Sequence, residues 1–251
     1  MSNEKPLAGK SAIVTGASRG IGRAVAERLG ADGANVLINY RTEERQARAV
    51  AESIREGGVR TVAVRGDVSR TEDIRKLFRI AAETFGTVDI LVNNAGLAIS
   101  RRPPVADVTD EEYDRLFAVN ARGVFMALRE AARTLADGGR VVNLASTVNA
   151  MALPGYSVYA GTKAAVEIWT KIFAKELAGK GITVNAVAPG PVETELFDEG
   201  KTEADKRVMA EMCPLKRLGQ PGDIARVVAF LVGPEGGWIN GQILLANGGI
   251  A

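Results

Sequence analysis

The sequence predicts an α/β protein built on a doubly wound parallel sheet with helices on both faces. Three observations carry that prediction. Strand-length apolar runs alternate with longer amphipathic stretches, most of the short runs are near-continuous Val, Ile, Leu and Ala, and a glycine-rich turn joins the first run to the first amphipathic stretch. Near-continuous apolar runs suit strands covered on both faces. The βαβαβ rhythm implies parallel strands with right-handed crossovers. No linker, repeat or low-complexity tract interrupts it, so one domain over residues 1–251 is expected.

The first strand, Ser11–Thr15, runs into Thr15-Gly16-Ala17-Ser18-Arg19-Gly20-Ile21-Gly22. The glycines let the main chain turn tightly and approach a pyrophosphate. The helix that follows, with the apolar stripe Ile21, Ala24, Val25 and Leu29, offers free N–H groups at its start. The spacing is Gly-xxx-Gly-x-Gly, and a plain tight turn is the alternative. Its place between the first strand and the first helix favours a nucleotide site. Gly16, Ser18, Arg19, Gly20 and Ile21 are therefore candidate cofactor contacts. The second strand, Asn35–Tyr40, ends in Asn39-Tyr40-Arg41-Thr42. NAD sites usually carry an acid there for the ribose 2′-hydroxyl. Arg41 suits a 2′-phosphate instead, with Arg19 approaching from the glycine turn. Tyr40 and Arg41 thus favour NADP(H), against the plainer reading of two solvated arginines.

The third strand, Arg60–Arg65, is followed by Asp67-Val68, which places a carboxylate where an adenine amino group would lie. Ile74, Leu77, Phe78 and Ala81 mark the next helix. The fourth strand, Asp89–Asn93, ends in Asn93-Asn94-Ala95-Gly96, at the carboxyl edge where ligands bind in such sheets. Small residues there let a cofactor lie against the backbone, although Asn and Gly also suit an ordinary turn. A helix bearing Tyr113, Leu116 and Phe117 then carries Asn120. A polar residue in that apolar setting needs a partner if buried, either main chain or a water linked to Lys163.

The fifth strand, Arg140–Ala145, delivers Ser146, and a loop with Pro154 and Gly155 leads to Tyr159 and Lys163. Four residues apart on a helix, these two share one face. A free phenol has a pKa near ~10. A neighbouring ammonium is expected to lower it, fitting Tyr159 for proton exchange near neutral pH. The Ser146 hydroxyl beside it suits a carbonyl oxygen. Alone, Tyr-xxx-Lys is more often an ordinary helix surface. The sixth strand, Thr183–Ala188, ends in Pro189-Gly190-Pro191-Val192-Glu193-Thr194, whose main chain and Thr194 hydroxyl suit a nicotinamide carboxamide. The polar, mixed stretch after it reads as a lid, so a substrate loop at about 190–215 is expected. Leu97, Ala98, Ile99, Val148, Asn149, Pro191, Phe197 and Met212 are expected to line a mostly apolar pocket. The seventh strand is Gln242–Ala246.

Composition narrows the chemistry. The chain has no histidine, which removes Ser-His-Asp and Cys-His catalysis. One cysteine, Cys213, cannot supply the usual zinc ligands or an intrachain disulfide, so no metal is expected and a reducing cytoplasm fits. Net charge is +2, from 32 basic and 30 acidic residues, with no basic run, so no nucleic acid partner is expected. The apolar runs are strand-sized and the polar N-terminus lacks a signal-peptide core, so no membrane span is expected.

Taken together, Thr15–Gly22, Asp67, Asn93–Gly96, Asn120, Ser146, Tyr159, Lys163 and Pro189-Gly190, in that order, resemble the classical short-chain dehydrogenase/reductase family over about Lys10 to Gly249. The resemblance implies a single-domain Rossmann fold with a seven-stranded sheet and an Asn120–Ser146–Tyr159–Lys163 tetrad. In that scheme Tyr159 is the acid for ketone reduction and the base for alcohol oxidation. Ser146 polarises the carbonyl, Lys163 holds the ribose hydroxyls, and Asn120 anchors a water of the proton relay. Asn93, Ala95, Gly96, Pro189, Gly190, Val192 and Thr194 join the expected cofactor contacts. The family also implies a homotetramer. The chain looks most like the 3-oxoacyl-carrier-protein reductase-like members and related ketoreductases. Ala136-Asp137-Gly138-Gly139, where those reductases usually carry basic residues, counts against an acidic carrier protein. An NADPH-dependent reductase of a small ketone is the preferred expectation. A carrier-protein-dependent reductase and a non-catalytic dinucleotide sensor stand as alternatives.

Overall fold

A computed structural model describes residues 5–99, 101–199 and 201–251. Met1–Glu4, read above as part of a polar N-terminus, and Gly200, inside the 190–215 stretch, lie outside the described residues. Seven parallel strands form one sheet in the order β3-β2-β1-β4-β5-β6-β7. They are β1 (Ser11–Val14), β2 (Asn35–Tyr40), β3 (Thr61–Arg65), β4 (Ile90–Asn93), β5 (Arg140–Leu144), β6 (Thr183–Pro189) and β7 (Ile243–Ala246). Between them run α1 (Gly20–Ala31), α2 (Glu44–Glu56), α3 (Thr71–Phe85), α4 (Asp110–Leu116), α5 (Gly123–Thr134), α6 (Val148–Met151), α7 (Ser157–Glu176), α8 (Glu195–Asp198), α9 (Glu203–Met212) and α10 (Pro221–Val232).

Strand alternation sends side chains to two cores. Val36 and Ile38 of β2 pack under α1, α2 and α10 with Val25, Leu29, Ile54 and Leu231. Leu37, between them, points the other way, toward Leu77, Leu128, Val166 and Phe173 of α3, α5 and α7. That is the arrangement near-continuous apolar strands require. The direction of strand addition reverses between β1 and β4, so the loops leaving their carboxyl ends part and open a crevice.

Three boundaries differ from expectation for identifiable reasons. Thr15 leaves β1 because its hydroxyl accepts from the N–H groups of Asn94 and Ala95, each at 3.0 Å. Asp89 stays outside β4 because its carboxylate accepts from Ser11 N at 2.9 Å and pairs with Lys10 at 3.1 Å. The expected loop at 190–215 contains two helices. Thr194 caps α8 by accepting from Phe197 N at 3.1 Å, and Thr202 forms a capping box with Asp205 at the start of α9. Hydroxyls at N-caps satisfy donors the first turn leaves free, which lets short polar helices hold. Between α4 and α5, residues Phe117–Arg122 form a π-helical turn, with Asn120 inside it. Turns of this kind collect at functional sites.

Candidate active site

The carboxyl ends of β1–β6 border one cleft of about 680 Å³. Its first half is built from the glycine turn. Gly16 has φ +62°, and a Cβ there would lie 2.8 Å from Ala95 Cα. At Gly22 a Cβ would lie 2.3 Å from Asn94 Nδ2 and 2.4 Å from Gly16 O. Asn94 Nδ2 donates to Thr15 O at 2.9 Å and Gly16 O at 3.0 Å, pinning the turn to the end of β4. Asn39 pins it to β2, accepting from Gly16 N at 3.2 Å and donating to Gly66 O at 2.9 Å. No side chain caps α1, whose N-terminus faces the cleft beside Ser18, Arg19, Gly20 and Ile21.

Tyr40, Arg41, Asp67 and Val68 close this half. Burial opposes the charge on Asp67, but hydrogen bonds from the Ser69 hydroxyl (2.7 Å) and N–H (2.9 Å), with Arg41 and Arg70 nearby, more than offset it and lower the pKa. Arg41 is exposed and has no ion pair among the described residues. Arg19 pairs with Glu199 at 3.6 Å, which ties the glycine turn to the end of α8.

In the second half, β5 delivers Ser146 and α7 delivers Tyr159 and Lys163. Ser146 accepts from Val148 N at 3.3 Å, and its hydroxyl stands near enough to the Tyr159 phenol to draw the phenol pKa down. Lys163 is buried, donates to Leu144 O at 2.7 Å, and lies 5.8 Å over the Tyr159 ring. The expectation of an acidified phenol needs correction. Tyr159 is half-buried and opens onto the cleft, and its packing pushes its pKa up, more than the nearby Ser146 hydroxyl pulls it down. Burial also lowers the Lys163 pKa to about 8, because the interior disfavours an ammonium.

Other expected contacts divide. Ala95, Gly96, Pro189, Gly190, Val192 and Thr194 border the cleft, as do Leu97, Ala98, Ile99, Val148, Pro191, Phe197 and Met212. Asn93 does not. It is buried, and its Nδ2 donates to Asn143 Oδ1 at 2.8 Å in a network running on to Thr170, so it holds β4 to β5 while Asn94 faces the cleft. Asn149 turns away too, donating to Glu167 at 2.8 Å. The Asn120 side chain is fully buried and clamps Leu97, accepting from its N–H at 2.7 Å and donating to its carbonyl at 2.9 Å. Each polar atom of that side chain has one main-chain partner and keeps one further hydrogen-bonding position. The Thr194 hydroxyl is likewise engaged as the α8 cap.

The sequence reading missed Asn94 as a side chain, and it missed Tyr156, Arg102 and Lys201, all of which line the cleft. Tyr156 had a signal, standing three residues before Tyr159, and the two rings meet edge to face at 6.3 Å. Arg102 and Lys201 sit in loops without periodicity. The turn at Ala136–Gly139 lies before β5, at the sheet edge opposite the cleft, where Gly138 N donates to Lys180 O at 2.7 Å. Its acidity therefore does not bear on what reaches the cleft mouth.

Comparisons with known proteins agree over nearly the full length. A family model described as enoyl-(acyl carrier protein) reductase matches residues 16–251. A short-chain type dehydrogenase/reductase of Picea abies is 44% identical over 251 residues, spanning 97% of this chain and 93% of its own. A short chain dehydrogenase of Burkholderia cenocepacia J2315, solved in complex with NADP, superposes with a TM-score of 0.91 at 41% identity, covering 98% of this chain and 99% of its own. The angucycline C-6 ketoreductase LanV, solved with bound NADP, superposes with a TM-score of 0.91 at 38% identity, covering 98% and 96%. With almost the whole chain matched in sequence and in fold, this protein belongs to the classical short-chain dehydrogenase/reductase family of oxidoreductases.

Proposed function

We propose that the protein is an NADP(H)-dependent oxidoreductase that interconverts a ketone and a secondary alcohol. The residues fit the dinucleotide. The uncapped start of α1 suits the pyrophosphate, Arg41 the 2′-phosphate, Asp67 the adenine amino group, and Lys163 the ribose hydroxyls. When bound, the nicotinamide supplies or accepts the hydride. Ser146 hydrogen-bonds the carbonyl oxygen and Tyr159 delivers the proton it gains. The raised pKa keeps the phenol in the acid form that reduction needs. In the alcohol direction Tyr159 takes that proton back. The Asn120 clamp positions Leu97 at the cleft wall.

One observation carries the reading, namely that Ser146, Tyr159 and Lys163 line the same cleft that the glycine turn opens. A dinucleotide sensor needs only the first half of that cleft. The test is Tyr159→Phe assayed by NADPH oxidation over a ketone panel. Turnover should fall by about 10²–10⁴-fold, while fluorescence titration still shows NADPH bound. Near wild-type turnover in that variant would overturn the mechanism. A carrier-protein reductase is the second reading, favoured by the name of the matching family model and no longer opposed by Asp137. Turnover of an acyl-carrier substrate far above that of the matching β-keto ester would establish it.

The apolar side chains of Ile168 and Ile172 on α7, with Trp238 and Leu245 near β7, are exposed and support assembly as a homotetramer, which sedimentation would check. No described helix is long and apolar enough to cross a membrane. The single cysteine supports a cytoplasmic location.

A further inference from the structure

The substrate half of the cleft is walled by apolar side chains, among them Ile99, Met151, Leu196 and Met209. Past Tyr159 and Lys163, the cations Arg102 and Lys201 line that half, while Glu195 at the start of α8 also lines the cleft with its carboxylate turned to the glycine turn, 3.7 Å from where a Cβ on Gly20 would lie. Neither cation has a carboxylate within ion-pair distance among the described residues, although three stand nearby. Asp198 pairs with Lys206 at 3.0 Å and Glu199 with Arg19 at 3.6 Å. Asp205 is bound to Thr202 at the start of α9.

Both cations are held in place. A Cβ on Gly155 would lie 2.7 Å from Arg102 Cβ and 2.9 Å from its carbonyl, so the turn before α7 packs against the Arg102 backbone. The guanidinium lies 5.0 Å over the Tyr156 ring, which is 6.3 Å from the Tyr159 ring, so the charge stands within about 11 Å of that ring. Lys201 donates to Phe197 O and lies 4.4 Å over the Phe197 ring. Its ammonium has two further donors, and the Arg102 fork has five. Burial first, and then the Arg102 charge, lower the Lys201 pKa, by more than Asp198, Asp205 and Glu199 nearby raise it. Two like charges held together at an apolar wall repel each other, and an anion between them would relieve that repulsion.

We propose that Arg102 and Lys201 form an anion-recognising subsite, and that the preferred substrate is a carbonyl compound bearing a carboxylate or phosphate several carbons from the ketone. This rests on the ketone reductase reading and extends it to a substrate class. The planar fork of Arg102 suits either oxyanion in bidentate form. The apolar wall between the cations and Tyr159 suits the carbon chain that joins the two ends.

The test uses the full chain with NADPH and levulinate, its longer oxo-acid homologues, their methyl esters, and the phosphonate analogues. At least one acid should exceed its ester in kcat/KM by about tenfold or more, matching one charge-assisted contact. Comparing carboxylate with phosphonate decides which oxyanion fits better. In Arg102→Leu/Lys201→Met the acid-to-ester ratio should fall at least about tenfold, whereas Lys201→Arg keeps it and Arg102→Lys, which loses the fork, lowers it in part. Esters reduced as well as every acid, or a ratio untouched in the double variant, would overturn the subsite while leaving ketone reduction standing. Failure of all these compounds and of neutral ketones to oxidise NADPH would sink both readings together.

Discussion

The two halves of the cleft are made differently. The cofactor half rests on buried and half-buried polar side chains that bond main chain across strands, with Asn39, Asn94 and Thr15 each joining two loops at the sheet edge. The substrate half rests on α8, α9 and the residues Ile99, Arg101 and Arg102, where exposed side chains and short capped helices dominate. The first half has little room to vary, because each atom already has a partner. The second can change its lining without disturbing the sheet. Shared chemistry and private specificity are thus largely separate, and they meet at Ser146, Tyr159 and Lys163, at the start of α8 beside Gly20, and at the Arg19–Glu199 ion pair.

The contrast can be broken first at Gly22. In Gly22→Ala the added methyl would overlap Asn94 Nδ2 and Gly16 O, at 2.3 and 2.4 Å. Overpacking of about 1–3 kcal/mol should weaken NADPH binding by up to about a hundredfold. Titration showing unchanged affinity would mean that the rigid half yields more easily than its hydrogen bonds imply. Next comes Arg41→Ala, which should weaken NADPH by about tenfold, one charge-assisted contact, and NADH hardly at all. Equal losses for both dinucleotides would remove Arg41 from 2′-phosphate recognition.

The smallest effect is on stability at Lys163. Its folded pKa, about 8, lies below its ordinary value of 10.5. The buried ammonium is a cost below about pH 8, and that cost is relieved as the amine loses its proton up to 10.5. The Lys163 contribution to stability therefore rises with pH across that window. Lys163→Met should remove the rise, seen as urea melts of variant and wild type that converge as pH is raised. Parallel curves would show that the amine is not desolvated in the folded protein.

The sheet and the reactive cluster were legible because each rests on a strong local signal. Strands buried on both faces read as unbroken apolar runs, and Tyr159 and Lys163 share a helical face by spacing alone. What stayed hidden depends on three-dimensional surroundings. Which of Asn93 and Asn94 meets the cleft is set by strand alternation, and only the register with Asn143 decides it. The direction of the Tyr159 shift depends on burial outweighing the pull of the Ser146 hydroxyl, a balance that spacing cannot reveal. Arg102 and Lys201 come from segments about a hundred residues apart, neither with a periodic pattern.

The π-helical turn at Phe117–Arg122 has a consequence for chain length. Such a turn holds a residue that a regular α-helix of the same rise would not need. Deleting one residue there would let an unbroken α-helix close from α4 into α5, with the faces of both flanking helices kept and the local wide turn lost. Asn120 would swing off Leu97, and the wall facing the ketone would lose its anchor while the helix itself became more regular. The segment thus trades local regularity for reach, so a shortened variant should fold well and reduce poorly.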